Sequence, residues 1–235
     1  MRIINKILVF TATYNESENI LKFINQVFNI TDRVDLLIVD DNSPDKTFEI
    51  IKLHPLINKK IFLHVREKKL GLDTAHKFAY NYAKNNKYNK LITMDADLSH
   101  DPRIIPKIIN LLKIKTFIIG SRYAPGGRCD LKGLRLLLSV FGNLFIKFLL
   151  NINSNEFTTS YRGFNLSKLN KFNLSNVKSS GYSFFMETIF LINKHKISIY
   201  EYPIHFKSRF SGKSKIPKIE ILRTLFNVIR LKFSN

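Results

Sequence analysis

Cysteine is almost absent from this 235-residue sequence, which has Cys129 alone and no tryptophan. A single thiol excludes an intrachain disulfide and any zinc site built from several cysteines. A disulfide-stabilised secreted domain is therefore excluded, and a reducing compartment is the expected location. We do not expect Cys129 to act as a catalytic nucleophile.

Long uninterrupted apolar runs are also missing. The apolar run in the first ten residues is too short for a signal peptide. Residues 131–150 are the most apolar region, but it is interrupted by Lys132, Gly133, Arg135, Gly142, Asn143 and Lys147. Because a membrane span needs about 20 mostly apolar residues, we expect no transmembrane helix and a location on the cytoplasmic side of a membrane.

Several common catalytic motifs are missing as well. The six histidines include no pair at zinc-binding spacing, and no serine lies in a Gly-x-Ser-x-Gly elbow. The sequence has no Gly-x-Gly-x-x-Gly motif and no Walker loop. These absences remove support for hydrolases, nicotinamide-dependent enzymes and nucleoside-triphosphate enzymes.

Acidic residues are few relative to basic ones: 18 Asp and Glu against 38 Lys and Arg give a net charge of +20. Such a surface attracts phosphates, nucleic acid or an anionic bilayer. The abundance of lysine, asparagine and isoleucine also suits an A+T-rich genome, so part of the excess is compositional. A nucleic-acid-binding module would need basic and aromatic residues clustered in a recognisable reader fold. We find no such cluster and expect no nucleic-acid partner.

The order of predicted elements indicates the α/β class, with a mostly parallel sheet flanked by helices. The predicted strands are residues 6–11, 35–39, 61–65, 90–94 and 116–120, and the predicted helices are residues 17–28, 46–53, 74–85, 131–150 and 183–194. We find no repeat and no linker. The sequence therefore predicts one catalytic domain, residues 1–215, followed by a basic amphipathic tail, residues 216–235.

Polar clusters follow three of the predicted strands, in residues 13–16, 40–43 and 95–97. Ligands of open α/β sheets bind beyond the carboxyl ends of the strands. Three separate stretches are therefore expected to meet at one edge of the sheet, and we place the functional site there.

The Asp95-Ala96-Asp97 segment predicts a metal site. An extended backbone would put both carboxylates on one side, with Ala96 opposite. Such a pair can hold a hard divalent cation, whose other ligands come from water and substrate phosphates. The cation would neutralise a departing nucleoside diphosphate. A solvated turn with helix-capping aspartates is the alternative, and the neighbouring polar clusters count against it.

Asp40 and Asp41 are predicted to contact a ribose or the edge of a base. Helix capping accounts for Ser43 and Pro44, which open the next helix. Capping does not account for two adjacent carboxylates, because their mutual repulsion requires compensating donors or a ligand.

Arginines in loop-like or polar surroundings are candidates for phosphate binding: Arg122, Arg128, Arg162 and Arg209. The guanidinium fork matches phosphate oxygens bidentately. Arg122, Arg162 and Arg209 are favoured because glycines nearby allow close backbone approach. A solvated surface charge is the alternative for each.

Taken together, the motifs resemble the dolichol-phosphate mannosyltransferase group of the inverting family-two glycosyltransferases. They occur in the order ATYNESENI, VDDNSPDKT, GLDTAHKFAY, MDADLSHDP, GSRYAPGG, FTTSYRGF and SRFSGKSK. One motif would be weak, but seven in order are specific. The resemblance extends from Ala12 to Lys215 and implies the Rossmann-like GT-A fold, to which the sequence adds peripheral amphipathic helices.

The resemblance implies a role for each matching residue. The donor would be bound by Ala12, Tyr14, Glu16, Asp40, Asp41, Asp95, Arg209 and Lys215. The metal ligands would be Asp97, Asp95 and Ser99, and the acceptor phosphate would contact Arg122, Thr159 and Arg162. The catalytic residues would be Asp97, Arg122 and Arg162.

The substrates and partners that the resemblance implies are a nucleotide-diphosphate sugar, most simply GDP-mannose, and a polyprenyl or dolichyl phosphate. It also implies a divalent cation, Mg²⁺ or Mn²⁺, and a peripheral position on the cytoplasmic face of a membrane. A separate small membrane-anchoring subunit is left open as a partner.

Some positions depart from the family pattern. Ser99 stands where a glutamine often serves as a further metal ligand, Ala12 replaces a common proline, and Lys46 and Asp73 replace common glycines. Residues 156–162 also differ from the usual Asp-x-Thr-Ser-Gly-Phe-Arg. These changes keep the reaction class but leave the sugar and the metal open.

A polyprenyl phosphate oxygen is already anionic, so it can attack the sugar without a general base. The enzyme must mainly align the reactants and stabilise the leaving diphosphate. A site rich in arginine and aspartate suits that task. The alternative is a related transferase that uses another nucleotide donor and a hydroxyl of a cell-surface glycan or lipid, for which Glu187 or Asp97 would be the base.

Two amphipathic segments are either core helices or membrane-docking helices. In residues 131–150 the apolar stripe comprises Leu134, Leu137, Leu138, Phe141, Phe145, Phe148 and Leu149. In residues 216–233 it comprises Ile219, Leu222, Phe226, Ile229 and Phe233, interleaved with basic residues. For the tail we favour docking, because each basic residue near anionic lipid adds about 1 kcal/mol.

Overall fold

The structure is a computed structural model that describes residues 6–207 and 219–233. Nine strands occur in these ranges: β1 (Ile7–Thr13), β2 (Asp35–Asp40), β3 (Ile61–Val65), β4 (Lys90–Thr93), β5 (Phe117–Ser121), β6 (Arg128–Cys129), β7 (Arg162–Asn165), β8 (Ile199–Pro203) and β9 (His205–Phe206). Seven of them form one sheet in the order β3-β2-β1-β4-β7-β5-β8, and β6 pairs with β9 in a second sheet. Within the large sheet β7 alone runs antiparallel to its neighbours.

Seven α-helices accompany the strands in the described ranges: α1 (Ile20–Ile30), α2 (Thr47–Lys52), α3 (Leu72–Asn85), α4 (Ile105–Leu111), α5 (Gly133–Leu150), α6 (Tyr182–Lys194) and α7 (Ile219–Phe233). Helix α1 shows why such segments are helical. It buries Ile20, Phe23, Ile24 and Val27, which lie three and four residues apart and so form one stripe.

The large sheet separates two apolar cores. Along β1, Leu8 and Phe10 enter one core with residues of α3, α5, α6 and α7, whereas Ile7 and Val9 enter the other with residues of α1, α2 and α4. Successive side chains of a strand point to opposite faces. Strands β1 and β2 therefore carry apolar side chains on both faces, which is the pattern expected of a sheet covered on both sides.

Strand β7 was not predicted, because Arg162-Gly163-Phe164-Asn165 contains no apolar run. Gly163 is required by packing rather than by backbone conformation. A Cβ atom on Gly163 would lie 2.7 Å from Cγ2 of Ile108, so a side chain there would push α4 away from the sheet. The predicted parallel strands are present, and β7 inserts between β4 and β5.

Helix α5 is the longest helix in the described ranges and is held to the domain along a narrow face. It buries Asn143, Ile146 and Leu150. Its outer side exposes Leu134, Leu137, Leu138, Phe141, Leu144, Phe145 and Phe148. Among the described residues α5 is long and apolar enough, by length and composition, to cross a membrane. Residues 131–150 were expected to fall short of a membrane span, but the helix itself contains only two charged residues, Arg135 and Lys147. The expectation that no transmembrane helix is present stays a prediction.

Helix α7, in the predicted tail, packs against α5 and α6. Val228 and Leu231 are buried in the same apolar core as α3 and α6, whereas Phe226 and Phe233 are exposed. One face of α7 thus packs into the core, and the other face presents apolar residues to solvent.

We predict that Val228→Ala lowers the free energy of unfolding by about 2 kcal/mol, because it leaves a cavity in a fully buried position. Phe226→Ala on the same helix is the matched control. Phe226 is 69% exposed, so its truncation should change stability by less than about 0.5 kcal/mol. Urea denaturation of the full chain measures both values. Equal losses for the two variants would show that α7 is not docked as described.

Candidate active site

The polar clusters that follow β1, β2 and β4 lie at one edge of the sheet, where the carboxyl ends of these parallel strands meet. The Asp41 amide donates to the Thr13 carbonyl (3.0 Å), and the Asn15 amide donates to Ser43 Oγ (3.0 Å). The Met94 amide donates to the Phe10 carbonyl (3.0 Å), which places the segment after β4 against β1. The structure thus brings the three stretches together.

Asp40 is fully buried and locks two of these loops together. Its carboxylate accepts hydrogen bonds from Thr13 Oγ1 (2.7 Å), the Ser43 amide (2.8 Å) and Ser43 Oγ (2.7 Å). The compensating donors come from the protein itself. In this geometry Asp40 holds the loop, and its predicted contact with a nucleoside stays a prediction.

Asp41 is bound by a residue that the sequence motifs did not indicate. Arg66 donates from Nη1 to Asp41 Oδ1 (2.8 Å), and the Gly71 amide donates to Oδ2 (3.2 Å). Both side chains of this ion pair are largely buried. Asp41 therefore attaches residues 66–71 to the site edge. Arg66 escaped prediction because it follows β3 in a segment without a recognised motif.

The loop after β1 carries the other residues expected to bind the donor. Tyr14 is half-buried, and the Nζ atom of Lys69 lies 3.8 Å from its ring centroid. Glu16 accepts a hydrogen bond from Asn19 Nδ2 (2.7 Å), and Ala12 lies half-buried in β1. Tyr14 and Lys69 therefore give this edge an aromatic face beside a positive charge.

Asp95 and Asp97 lie in the loop beyond β4. Asp95 Oδ1 accepts from Ser160 Oγ (2.6 Å), and its side chain is 35% exposed. Asp97 is buried, and its Oδ1 accepts from the amide (3.0 Å) and the hydroxyl (2.6 Å) of Ser99. The fully buried Ser99 thus orients the Asp97 carboxylate, and its role as a metal ligand stays a prediction.

The carboxylates of Asp95 and Asp97 supply the hard oxygen ligands that Mg²⁺ and Mn²⁺ prefer. Within residues 6–207 and 219–233 no group of three or more His, Cys, Asp or Glu side chains forms a metal cluster. A cation held by these two aspartates would therefore take its other ligands from water or from substrate phosphates, as Mg²⁺ commonly does.

His100 joins the Asp95 loop to the segment before β7, and sequence reasoning missed it. Its Nδ1 accepts from the Asp95 amide (3.1 Å), so the proton is assigned to Nε2, which lies 3.3 Å from Thr159 Oγ1. Burial lowers the pKa of His100 below its ordinary value, against the opposing charge of Asp95. A neutral His100 thus fixes Thr159 beside the aspartates.

Arg122 forms a buried bidentate ion pair with Glu156. Nε donates to Oε2 (2.6 Å) and Nη2 donates to Oε1 (2.7 Å). Nη2 also donates to Thr158 Oγ1 (2.7 Å), and the guanidinium carbon lies 5.3 Å from the Phe206 ring centroid. Most of the fork expected to hold phosphate is therefore engaged by a carboxylate, which fixes the position of the cation.

Glu156 is fully buried and organises the loop that carries Thr158 and Thr159. Its Oε1 accepts from the Thr158 amide (3.0 Å), Thr158 Oγ1 (3.0 Å) and the Thr159 amide (3.3 Å). Burial alone would raise the pKa of Glu156, but the charge and hydrogen bonds of Arg122 hold it below the ordinary value. In the sequence, Glu156 was identified only as part of a stretch that differs from the family pattern, and its partner Arg122 was not predicted.

Arg162 lies inside the protein rather than at the site edge. It is 1% exposed, and its Nε and Nη2 atoms donate to the carbonyls of Thr159 (2.9 Å), Phe157 (3.1 Å) and Phe185 (2.9 Å). Its Nη1 has no hydrogen-bond partner among the described residues. Burial lowers the pKa of Arg162 to about 9. The predicted bidentate phosphate contact is therefore not offered by this geometry, because β7 directs the side chain into the core.

Glu187, Arg209 and Lys215 are the remaining candidate site residues that were predicted from the sequence. Glu187 is buried and accepts from Arg230 Nη2 (2.9 Å) and the Ser179 amide (2.8 Å), so it holds α7 to α6. Arg209 and Lys215 lie outside the described residues. The Lys207 amide donates to the Ser99 carbonyl (3.1 Å), so the chain that precedes them reaches the Asp97 loop.

Residues 8–172 match the family described as Glycosyl transferase family 2. The chain is 33% identical over 224 residues to the polyprenol monophosphomannose synthase of Mycolicibacterium smegmatis. This alignment covers 94% of this chain and 84% of that protein. It is 29% identical over 226 residues to the undecaprenyl-phosphate mannosyltransferase of Micrococcus luteus, with coverage of 96% and 93%.

Solved structures of glucosyl-3-phosphoglycerate synthase from Mycobacterium tuberculosis share the fold. One, in complex with Mn²⁺, UDP and glucosyl-3-phosphoglycerate, has a TM-score of 0.65 at 16% identity and covers 97% of this chain and 80% of that chain. Another, with Mn²⁺, UDP and phosphoglyceric acid, has a TM-score of 0.67 at 15% identity, with coverage of 97% and 79%. The predicted GT-A fold is thereby confirmed.

We predict that Glu156→Gln lowers the free energy of unfolding by about 3–5 kcal/mol at pH 7, because it leaves the charge of Arg122 buried without a partner. Glu49→Gln is the control, because the Lys46–Glu49 pair is exposed and should contribute less than about 1 kcal/mol.

The pH dependence of stability, compared between wild type and Glu156→Gln, tests the ionisation of Glu156. A carboxyl whose pKa is lowered on folding stabilises the protein fully above its unfolded pKa, and this contribution is lost as the pH falls through the folded value. The stability difference between wild type and Glu156→Gln should therefore shrink below the ordinary glutamate pKa of about 4.3. A difference that stays constant down to pH 3 would contradict an ionised Glu156.

Proposed function

The chain belongs to glycosyltransferase family 2, and we propose that this glycosyltransferase moves mannose from a nucleotide-diphosphate sugar to a polyprenyl phosphate. The observation that carries the proposal is the direct attachment of the Asp95–Asp97 loop to the loop that positions Arg122. A carboxylate pair for the donor diphosphate and a cation for an acceptor anion thus share one edge of the sheet. The two relatives are named polyprenol monophosphomannose synthase and undecaprenyl-phosphate mannosyltransferase, and these names support this substrate class.

For the donor we propose GDP-mannose, bound along the edge formed by the ends of β1 and β2. Tyr14, Glu16 and Asp41 would face the nucleoside, and Ala12 would lie behind them. Asp40 would act indirectly by holding the loop. Arg209 and Lys215 remain proposed contacts to the diphosphate, supported by the approach of Lys207 to Ser99.

For the metal we propose that Asp95 and Asp97 hold Mg²⁺ or Mn²⁺ together with donor phosphate oxygens. When bound, the cation supplies positive charge to the leaving nucleoside diphosphate. Ser99 keeps Asp97 oriented through its hydroxyl, and Ser160 does the same for Asp95. The protein thus prepares the two carboxylates before the donor arrives, which is the positioning that such a site needs.

For the acceptor we propose that its phosphate binds beside Arg122 and Thr159. One phosphate oxygen attacks the anomeric carbon, a new carbon–oxygen bond forms, and the bond to the nucleoside diphosphate breaks with inversion. The attacking oxygen is already anionic, so no proton has to be removed by the protein. The Arg122 guanidinium holds this oxygen in position. Arg162 supports the loop that carries Thr159 by donating to the carbonyls of Phe157 and Thr159.

The alternative acceptor, a hydroxyl of a glycan, would need a general base. Glu187 is held by Arg230 and Ser179 on the side of α6 that meets α7, so it is engaged in helix packing. Asp97 would have to serve both the donor and the acceptor. The arrangement therefore favours the phosphate acceptor.

Transfer to farnesyl phosphate should be detectable with one radiolabelled donor in a screen of nucleotide sugars, and GDP-mannose should be the best of them. A chelator should abolish transfer, and Asp97→Ala should lower kcat by at least about 100-fold, because charge on the leaving group is no longer neutralised. Asp32→Ala, in the exposed turn before β2, is the control and should retain activity. Full activity in the presence of the chelator would remove the metal from the proposal, and no transfer from any donor would remove the acceptor class.

For the location we propose peripheral docking on the cytoplasmic face of a membrane through α5 and α7. The two helices pack against each other, and both expose large apolar residues, among them Phe141, Phe148 and Phe226. The basic residues Lys132, Arg135 and Lys232 are exposed on the same helices or next to them and suit anionic headgroups.

Binding to liposomes that contain anionic lipid should weaken at least about tenfold in the double variant Phe148→Ser/Phe226→Ser, because two aromatic side chains no longer leave water. Binding should also weaken at high salt. Leu53→Ser is the control, because Leu53 is 85% exposed and follows α2. Substitutions are preferred to truncation, since removal of α7 would also remove the buried Val228. Unchanged cosedimentation of the double variant would exclude these helices as the docking surface.

A further inference from the structure

A small cavity lies between α5 and the loop that carries Glu156. Its volume is about 120 Å³, and it is lined by Tyr123, Val140, Asn143, Leu144, Lys147 and Asn155. Four of these residues come from α5 at positions three and four apart, so they form one stripe of that helix. A single water occupies about 10–15 Å³ when cavity volume is measured in this way. The cavity is therefore large enough for a branched group of several carbons.

The polar groups in the cavity wall are already paired with each other or with the protein around them. Asn143 donates from Nδ2 to the Ser139 carbonyl (2.7 Å), and its Oδ1 accepts from the Phe157 amide (2.8 Å). Lys147 Nζ donates to Asn155 Oδ1 (2.8 Å). Asn155 Nδ2 in turn donates to Glu201 Oε2 (3.1 Å). A polar occupant would find few unmet hydrogen-bonding groups, so an apolar occupant is favoured.

The cavity lies next to the cation proposed to hold the acceptor phosphate. The guanidinium carbon of Arg122 is 5.1 Å from the ring centroid of Tyr123, and this ring is part of the cavity wall. The Tyr123 hydroxyl donates to Ser139 Oγ (2.7 Å), which fixes the ring against α5. Asn155 on the other side directly precedes Glu156, the partner of Arg122. The cavity and the phosphate position are thus neighbours across one aromatic ring.

The outer end of the cavity meets the exposed apolar side of α5. Leu144 lines the cavity and is 54% exposed, and Phe145, which follows it, and Phe141, three residues before it on α5, are exposed as well. A lipid whose phosphate sits at Arg122 must pass from a polar site to an apolar surface. The cavity lies on the path that joins them.

We propose that this cavity binds the isoprene unit nearest the phosphate of the acceptor lipid. The proposal rests on the proposed function and adds a subsite to it. Tyr123, Val140 and Leu144 contact the branched five-carbon unit, and the stem of Lys147 covers it. The next units run over Leu144 onto the exposed side of α5. The subsite sets the direction in which the lipid leaves the phosphate and gives preference to a prenyl phosphate over a bare phosphate.

The test measures equilibrium binding of farnesyl phosphate to the full chain, without a donor, by calorimetry. Val140→Trp fills the cavity and should weaken binding of farnesyl phosphate about tenfold, which corresponds to about 1.4 kcal/mol. Leu144→Ser removes an apolar wall at a half-exposed position and should weaken it in the same direction. Inorganic phosphate, measured in parallel, should bind all variants equally, because its site at Arg122 is unchanged.

Ile114→Trp is the matched control, since Ile114 is 70% exposed and follows α4 away from the cavity. Thermal midpoints show whether each variant is folded. Wild-type affinity for farnesyl phosphate in both cavity variants would overturn the subsite. An equal loss for inorganic phosphate would also overturn it, because the effect would then lie at Arg122.

The subsite and the proposed function can fail separately. Cavity-dependent binding of farnesyl phosphate without sugar transfer from any nucleotide sugar would preserve the subsite and refute the transferase proposal. Transfer to farnesyl phosphate with an unchanged KM in Val140→Trp would preserve the transferase and refute the subsite.

Discussion

The buried ion pair between Arg122 and Glu156 is the interaction on which the candidate active site depends. Removing two charges from water is unfavourable, and attraction compensates for it only when geometry is good and further hydrogen bonds satisfy the remaining lone pairs. Here the pair is bidentate, and Thr158 and Thr159 donate to the same carboxylate. The loop must therefore fold around Glu156 in one way. Arg122 is held as a fixed cation rather than as a mobile surface side chain.

From this pair, direct contacts extend in two directions. Thr159 meets His100, and Ser160 donates to Asp95, so the loop that contains Glu156 also orients the carboxylates beyond β4. On the other side the Phe157 amide donates to Asn143 of α5, the helix with the exposed apolar surface. A single short segment thus links the proposed donor diphosphate, the acceptor phosphate and the proposed lipid surface. Such a link suits a reaction in which one substrate is soluble and the other stays in a bilayer.

Particular residues show how far sequence reasoning reached. The motifs correctly predicted that three polar clusters meet at one edge of the sheet, because strand ends and polar clusters are local features that parallel strands bring together. The same motifs did not show that Asp40 and Arg162 face inward. Asp40 binds Thr13 and Ser43, and Arg162 binds backbone carbonyls beside Phe185. A polar residue in a motif can bind a ligand or another part of the protein, and the residue type alone does not distinguish these two roles. His100 and Arg66 were missed for the converse reason, since each acts through a partner that is remote in sequence.

The sequence by itself determined the alternation of strands and helices, the two-sided burial of the central strands and the order of the motifs. These features follow from hydrophobic periodicity and from short contiguous signals, which every segment carries within itself. Only the tertiary structure decided that β7 inserts antiparallel between β4 and β5, and which polar groups pair. Arg122 and Glu156 are 34 positions apart, and Thr159 and His100 are 59 apart. Whether a charge is exposed or buried with a partner depends on which distant segment folds against it, because desolvation and hydrogen bonding act through space rather than along the chain.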